Sequence, residues 1–322
     1  MSMLGSSPGL LAAKARLARF AACDEPILVE GETGTGKELA ARSVHYSSAR
    51  NKMPFVPVNC GSIPDGLVEN EFFGHARGAY TDAKNDQRGL VELAGGGTLF
   101  LDEIDALSSK GQVFLLRFLQ DYAYRQVGSA TSHVADVRIV AATNANLSAL
   151  AERGAFRTDL LFRLRVLHVH LPPLRERLED IPELVRHFLA QCALRLNQAP
   201  KTLGPEVLQR MYAHAWPGNV RELASVIWRA VLLQDGPEIG TDAIAELCDS
   251  PYSAARDAHG CGFSRAKAAA ISQFEARYLS EVMSRAGGNV TAAAKLAGTE
   301  RRYLGKLLKK HGLDKRGFSS PS

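Results

Sequence analysis

A glycine-rich turn near the N-terminus constrains this chain more than any other feature. Residues 26–30, which are apolar up to Glu30, predict a short buried strand, residues 31–37 form the turn, and residues 38–42 favour a helix. In that context glycines let backbone N–H groups and the helix N-terminus face phosphate oxygens, while a lysine reaches the outer phosphates. The residues of this candidate phosphate-binding loop are Gly31, Glu32, Thr33, Gly34, Thr35, Gly36, Lys37 and Glu38. Because Glu38 stands where a hydroxyl residue is usual, a plain glycine-rich surface turn is the alternative at this point.

Charge is distributed unevenly along the chain. The 322 residues suffice for two or three domains, and no apolar run approaches the roughly 18 residues of a membrane helix. Five scattered cysteines lack metal-binding spacing, which favours reduced thiols and a cytoplasmic location. Residues 263–322 hold twelve Lys and Arg against four Asp and Glu, a net of +8 in a chain whose total is +5. Such a basic segment favours nucleic-acid binding, with a solvated charged surface as the alternative.

The hydrophobic pattern divides the chain into regions. Strands are predicted at residues 26–30, 55–59, 98–103, 137–144 and 166–171, with a helix at 110–121. Short strands alternating with helices predict an α/β fold, in which a parallel sheet has helices on both faces. From residue 181 to about 247 the pattern is helical throughout. We therefore expect an α/β domain at residues 1–172, an all-α domain at 173–248, a linker at 249–263 and a second helical domain at 264–316.

Polar side chains end three of the predicted strands. Asp102 and Glu103 end the third strand, where a carboxylate can hold Mg²⁺ and a neighbouring glutamate can polarise an attacking water. Asn59 ends the second strand, from which its amide can hydrogen-bond Glu103, and Asn144 ends the fourth strand near the expected outer phosphate. The alternatives are an acidic turn residue for the carboxylates, a turn-forming residue for Asn59 and a helix cap for Asn144.

Two arginines, Arg157 and Arg163, lie six positions apart in a segment rich in leucine and phenylalanine. At a subunit edge, either one can act as an arginine finger on the nucleotide of a neighbouring subunit. The alternative is an ordinary solvated surface arginine.

Several stretches of the sequence together resemble one protein family. They are GETGTGKE, EFFGHARGAYTDA, GGTLFLDEI, RIVAATN, FRTDLLFRLRV followed by LPPLRER, and WPGNVREL. They cover Gly5 to about Leu233 in the order and spacing of sigma-54-dependent transcriptional activators, also called bacterial enhancer-binding proteins. The resemblance implies an AAA+ P-loop ATPase with an all-α lid subdomain and a C-terminal helix-turn-helix domain. It also implies a ring, expected to be a hexamer, with ATP and Mg²⁺ at the subunit interfaces.

The resemblance implies a role for each candidate site residue. Lys37 is the Walker A lysine, Glu103 belongs to the Walker B pair, and Asp102 of that pair binds the metal. The remaining roles are nucleotide sensing through Glu103 for Asn59, sensor I for Asn144, arginine fingers for Arg157 and Arg163, and sensor II for Arg221. Glu38 matches the family's usual residue at its position, so it no longer counts against the P-loop.

One further stretch resembles the loop with which the family touches sigma-54. The matching residues are Gly78, Ala79, Tyr80, Thr81, Asp82 and Ala83. The family's loop has Phe where this chain has Tyr80, and the aromatic face is kept. It has Gly where this chain has Asp82, which adds a charge and removes backbone freedom. The departure at Asp82 puts the strength of a sigma-54 contact in question.

The basic tail resembles the family's Fis-type helix-turn-helix. Residues 287–298 predict a turn, a helix of small residues and a second turn, and Leu304, Leu307 and Leu308 fall on one face of the next helix. Its outer face carries the residues expected to contact phosphates and base edges, which are Arg301, Arg302, Tyr303, Lys306, Lys309 and Lys310. The alternative is a solvated amphipathic helix.

The function implied is that of a DNA-bound ATPase that opens the sigma-54 RNA polymerase complex at promoters. One alternative is a DNA-binding regulator that uses ATP only as an assembly switch, without sigma-54 contact. Another is a general AAA+ remodelling enzyme whose basic tail binds something other than DNA. Because the family's core begins within the first few residues, we expect either regulation in trans by a partner or a longer parent protein.

Overall fold

The computed structural model divides into two compact units, Met1–Ala245 and Glu246–Ser322. It describes residues 3–80, 85–241, 243–244, 275, 278–279, 282–283, 286 and 288–310. Among these residues, no helix is both long and apolar enough to cross a membrane.

Five parallel strands form the central sheet of the first unit. They are β1 (Ile27–Glu30), β2 (Phe55–Asn59), β3 (Thr98–Asp102), β4 (Arg138–Thr143) and β5 (Leu167–His170). Their order across the sheet is β2-β3-β4-β1-β5, so β1 lies between β4 and β5. All five predicted strands are present, each shortened by no more than one residue at either end.

Helices cover both faces of this sheet, as the sequence predicts. They are α1 (Pro8–Phe20), α2 (Lys37–Tyr46), α3 (Val68–Phe73), α4 (Leu90–Leu93), α5 (Ser109–Asp121), α6 (Leu147–Glu152) and α7 (Thr158–Leu164). Because successive strand residues point to opposite faces, neighbours in sequence enter different cores. Leu28, Leu99 and Ile139 pack with α3, α5 and α7, whereas Val29, Phe100 and Val140 pack with α1 and α2.

The lid follows the sheet within the same unit. It contains α8 (Ile181–Leu196), α9 (Pro205–Ala213) and α10 (Asn219–Leu233). The prediction of helical structure throughout was wrong at two places, where Thr202–Leu203 pairs in parallel with Glu238–Ile239. Two residues are too few for a period-2 pattern, so only the pairing of distant segments reveals these strands. Trp216 is fully buried beneath the helices and its Nε1 donates to the Met211 carbonyl at 2.8 Å.

In the second unit the structure describes α11 (Val290–Leu296) and α12 (Arg301–Lys310). Asn289 caps α11, because its side chain accepts hydrogen bonds from the Thr291 and Ala292 amides. Leu304 and Leu308 of α12 are buried against α11 and the preceding segment, as the i, i+4 spacing predicts.

Candidate nucleotide-binding site

The glycine loop joins β1 to α2 in the conformation that its glycines permit. Gly34 and Gly36 have φ angles of 81° and 103°, values that residues with a side chain rarely adopt. A Cβ at Gly34 would lie 2.1 Å from the carbonyl oxygen of Gly218 in the lid, so the close approach of the lid also requires glycine. Helix α2 begins at Lys37, and the N–H groups of its first turn are available to an anion held by the loop.

Lys37 is held against the loop's own backbone. Its Nζ donates to the carbonyl oxygens of Gly31 at 2.8 Å and Glu32 at 3.2 Å. Burial lowers the pKa of Lys37, and the nearby Asp102 carboxylate opposes that shift. A phosphate oxygen is a stronger partner than either carbonyl, because a hydrogen bond between two charged groups is stronger.

The carboxylates at the end of β3 lie beside an amide from β2. Asn59 is the register partner of Asp102 across the sheet, and Asn59 Nδ2 donates to Glu103 Oε2 at 3.2 Å. Asn59 is itself held, because its Oδ1 accepts from the Gly61 amide at 2.9 Å. Burial raises the pKa of Asp102, whereas a hydrogen bond from the Glu103 amide and the charge of Lys37 lower it. Glu103 is thus oriented by a neutral side chain that can release it.

Asn144, at the end of β4, contacts the glycine loop directly. Its Nδ2 donates to Thr33 Oγ1 at 2.9 Å. The preceding Thr143 is buried, donates to Asp105 Oδ1 at 2.5 Å and accepts from the Ala145 amide at 3.0 Å. These bonds fix the backbone that carries Asn144 and link it to the segment after Asp102.

One cavity of about 600 Å³ collects these groups. Its polar lining includes residues 33–38, Asp102, Glu103 and Asn144, and its apolar lining includes Met3, Leu4 and Leu10 with Leu184, Phe188 and Ala224 of the lid. Arg221 of α10 also lines it. A lining that combines polar and apolar side chains suits a phosphate chain attached to a planar base.

A metal at this site would have few protein ligands. The described part of the chain contains no group of three or more His, Cys, Asp or Glu side chains that could hold a metal by themselves. Asp102 nevertheless lines the cavity, and Mg²⁺ commonly uses one or two carboxylates plus phosphate oxygens and water. The donor set therefore fits Mg²⁺ in company with a nucleotide.

A buried network that the sequence analysis missed ties the N-terminal segment to the loop. Arg177 Nη2 donates to the Thr35 carbonyl at 3.2 Å, and Arg177 Nη1 lies 4.0 Å from Asp180 Oδ2. Asp180 Oδ1 accepts from the amides of Ser6 and Ser7 at 2.7 and 2.8 Å. Burial lowers the pKa of Arg177, and the Asp180 charge opposes that shift. The only sequence signal was a group of charges, residues 175–180, next to an apolar helix.

Two residues of the predicted loop lie behind the cavity. Within the loop, the first residue that lines the cavity is Thr33, so Gly31 and Glu32 are not part of the lining. Glu32 instead accepts two hydrogen bonds of 2.7 Å from Arg175 and one of 3.1 Å from Asn219 Nδ2. The hydrogen bond from Arg175 lowers the pKa of Glu32. Its carboxylate thus joins the loop to the lid.

Comparison with protein families accounts for most of the chain. Residues 3–170 match the family described as the sigma-54 interaction domain, residues 175–259 the AAA+ ATPase lid domain, and residues 270–311 the bacterial regulatory protein, Fis family. The chain belongs to the sigma-54-dependent transcriptional activator family. The resemblance identified from the sequence is therefore confirmed, as is the α/β AAA+ fold with its lid and helix-turn-helix domains.

Named relatives agree with this assignment. The chain is 39% identical to the regulatory protein AtoC of Escherichia coli K12, over 97% of this chain and 68% of that protein. It is 40% identical to the DNA-binding transcriptional regulator NtrC of Azospirillum brasilense, over 96% of this chain and 69% of that protein. The solved structure of NtrX from Brucella abortus in complex with ATP is similar with a TM-score of 0.72 at 34% identity, covering 97% of this chain and 69% of that one.

In this member of the sigma-54 activator family, the two candidate finger arginines lie away from the chain's own cavity. Neither Arg157 nor Arg163 lines it. Arg157 precedes α7 and pairs with Asp159 at 2.7 Å, and both arginines are exposed. Phe162, between them on α7, is 73% exposed. Neither arginine therefore contributes to the cavity of its own chain.

Half of the candidate sigma-54 loop is described. It extends from the paired strands Gly74–His75 and Gln87–Arg88, which follow α3. Gly78 has a φ of 82°, and Tyr80 is 47% exposed with its ring centroid 4.9 Å from that of His75. Ala79 lies between them, whereas Thr81, Asp82 and Ala83 lie outside the described residues.

The candidate DNA-binding side chains share one exposed surface of α12. Arg301, Arg302, Tyr303, Lys306, Lys309 and Lys310 are all exposed, while the leucines on the opposite face are buried. Lys310 Nζ pairs with Glu275 at 2.8 Å. The face therefore presents basic groups and one aromatic ring to a partner.

Proposed function

We propose that this chain is an ATP-dependent transcriptional activator. It binds DNA upstream of promoters and uses ATP hydrolysis to remodel sigma-54 RNA polymerase into the open complex. The observation that carries the proposal is a single cavity that brings together Lys37, Asp102, Glu103 and Asn144, with Asn59 hydrogen-bonded to Glu103. Such a set can hold phosphates, bind a metal and orient a water in one place. The match to the sigma-54 interaction domain supports the polymerase as partner.

Within this proposal, each residue has a physical task. Lys37 and the amides of the loop hold the phosphates, and Asp102 would hold Mg²⁺, which neutralises phosphate charge when it is bound. Glu103 orients the attacking water, and the hydrogen bond from Asn59 restrains the Glu103 side chain until a phosphate is bound. Asn144, fixed against Thr33, contacts the outer phosphate. The ATP complex of NtrX supports ATP as the nucleotide.

The proposed assembly is a ring, with a hexamer as the expected size. Exposed Arg157 and Arg163 supply charge to a neighbour's nucleotide, which would explain why neither lines the cavity of its own chain. Phe162 supports an interface at this surface, because aromatic residues are enriched in the buried centres of interfaces.

The domain boundaries are proposed as stated from the sequence, with DNA bound by the 264–316 domain. Family matches at residues 3–170 and 270–311 support the first and last domains, whereas the lid match at 175–259 extends into the proposed linker. The exposed basic face of α12 supports DNA as the partner of the last domain. A cytoplasmic location is part of the same proposal, because the polymerase and its promoters lie there.

A second candidate function is favoured by one residue. Asp82 replaces the glycine of the family's sigma-54 loop, and burying its charge at a contact would carry a desolvation cost. A DNA-binding regulator that uses ATP only as an assembly switch would tolerate that change.

An open-complex assay on a sigma-54 promoter separates the two functions. The wild-type protein with ATP should open the promoter, whereas a non-hydrolysable ATP analogue should not. The Glu103→Gln variant should bind ATP but fail to open, since the amide orients water poorly. Thr81→Ala tests the loop, because it should hydrolyse ATP normally and yet open nothing. If the wild-type protein occupies the promoter equally well with ATP and with the analogue but opens it with neither, the result would instead support the assembly switch.

A further inference from the structure

A second cavity, of about 500 Å³, lies on the lid between α8 and α10. Phe188 and Arg195 line it from α8, and Arg221 and Trp228 line it from α10. In each helix the two residues are seven positions apart, about two turns, so each wall extends roughly 10 Å. We call the space between these four side chains the lid groove.

The lid groove is strongly cationic. Three arginines line it, Arg195, Arg221 and Arg229, and among the described residues no acidic side chain does. Within the described residues none of the three forms an ion pair, whereas Arg42 and Arg175 each pair with a glutamate. Three like charges in a small space repel each other, and an anion placed between them relieves the repulsion.

The groove also offers aromatic surface. The Trp228 indole is half-buried, and the Arg195 guanidinium lies 5.7 Å from its ring centroid. Phe188 adds a second aromatic ring to the lining and also lines the nucleotide cavity. Indole and guanidinium planes stack on aromatic rings, and guanidinium also binds phosphate through two parallel hydrogen bonds. The volume lies within the range of roughly 300–1,000 Å³ typical of small-molecule sites.

We propose that the lid groove binds an anionic aromatic ligand, a ring that carries a phosphate, at a site distinct from the nucleotide cavity. The two cavities share a wall, because Phe188, Gln191, Arg221 and Ala224 line both. A ligand that draws Arg221 into the groove therefore changes the affinity of the nucleotide cavity, and by linkage nucleotide changes the affinity of the groove. Only this coupling rests on the proposed nucleotide site; binding in the groove does not.

Tryptophan emission can report on occupancy of the groove. The chain has two tryptophans, and because Trp216 is fully buried, a ligand in the groove perturbs Trp228. Phenyl phosphate is titrated into the full chain saturated with ADP. We expect a saturable change in emission that Trp228→Phe removes, while calorimetry shows that this variant still binds. Inorganic phosphate and phenol, which each lack half of the ligand, should bind at least roughly tenfold more weakly.

Variants distinguish the groove from general surface charge. Arg195→Ala and Arg229→Ala should each weaken phenyl phosphate binding roughly tenfold, because each removes a charge-assisted hydrogen bond. Arg186→Ala is the matched control, since Arg186 is exposed on the same helix but does not line the groove. Arg221→Ala should abolish any dependence of ADP affinity on phenyl phosphate.

Two results would overturn the proposal. One is competition, in which ADP displaces phenyl phosphate completely and so shows that both occupy the nucleotide cavity. The other is equal affinity in the Arg195→Ala, Arg229→Ala and Arg186→Ala proteins. A protein that does not bind ADP but still loses phenyl phosphate binding through Arg195→Ala would support the groove while refuting the proposed nucleotide site.

Discussion

The carboxylate of Asp180 should be essential to both the stability of the first unit and its nucleotide affinity. It is fully buried, and its two oxygens accept from the Ser6 amide, the Ser7 amide and the Ser7 hydroxyl at 2.7–2.8 Å. Arg177 is the nearby cation, at 4.0 Å. Asp180→Ala would leave three donors without their acceptor and the buried Arg177 guanidinium without its nearby counter-charge. It would also release the start of the N-terminal segment, which carries Met3 and Leu4 to the cavity.

The expected loss of folding stability follows from these contacts. Removing one partner of a buried charged pair costs about 3–5 kcal/mol, which includes the cost of leaving buried hydrogen-bond donors without an acceptor. For a unit of this size each kcal/mol lowers the melting temperature by roughly 2–4 °C, so the variant should melt roughly 6–20 °C lower. ADP affinity should fall at least roughly tenfold, because losing about 55 Å² of apolar contact with the base is enough for that.

The assay is thermal unfolding followed by tryptophan emission, with ADP binding measured by calorimetry below the transition. Asp180→Asn is the matched control, since its carbonyl oxygen can still accept from the Ser6 and Ser7 amides, and it should lose less than Asp180→Ala. Gly5→Ala should resemble Asp180→Ala, because a Cβ there would lie 2.5 Å from Asp180 Oδ2. If Asp180→Ala melts within about 2 °C of wild type and binds ADP equally well, the network does not hold the cavity wall.

Five other substitutions test the remaining parts of the site. Lys37→Ala should abolish ATP binding measured by calorimetry, and Glu103→Ala should bind ATP but hydrolyse it slowly, so wild-type turnover would refute its role. Arg163→Ala should lose ATP hydrolysis. Mixing it with the Lys37→Ala protein, which supplies an intact arginine, should restore part of that hydrolysis. If no mixing ratio restores hydrolysis, Arg163 does not act in trans. Arg302→Ala should weaken specific DNA binding by about 1–3 kcal/mol if it contacts a base, and an unchanged footprint would exclude that contact. In the presence of ADP and a γ-phosphate mimic, Asp82→Gly should capture sigma-54 at least as well as the wild-type protein, since it removes a charge that must be desolvated at the contact. Weaker capture by this variant would contradict that reasoning.

Much of the site could be predicted from the sequence because its chemistry is local. The strand, glycine loop and helix around Lys37 are contiguous, and Asp102 ends a strand whose apolar run is unmistakable. Parallel strands end at a common edge, so Asn59 and Asn144 could be expected near the carboxylates before any contact was known. The division of the core between the two faces of the sheet could also be predicted, because successive residues of a strand point to opposite faces.

The sequence by itself determined which residues have the chemistry for phosphate, metal and DNA, and in which order the domains follow. Only the tertiary structure decided how the cavity is closed. The bond from the Ser7 amide to Asp180 spans 173 positions, and no periodicity in either segment signals it. Glu32 faces Arg175 rather than the cavity because the lid packs on the loop, which its own neighbours could not reveal. The lid groove likewise exists only where α8 and α10 meet. Patterns of local propensity act within a few residues, whereas burial and pairing across the chain depend on the packing of elements that the sequence leaves far apart.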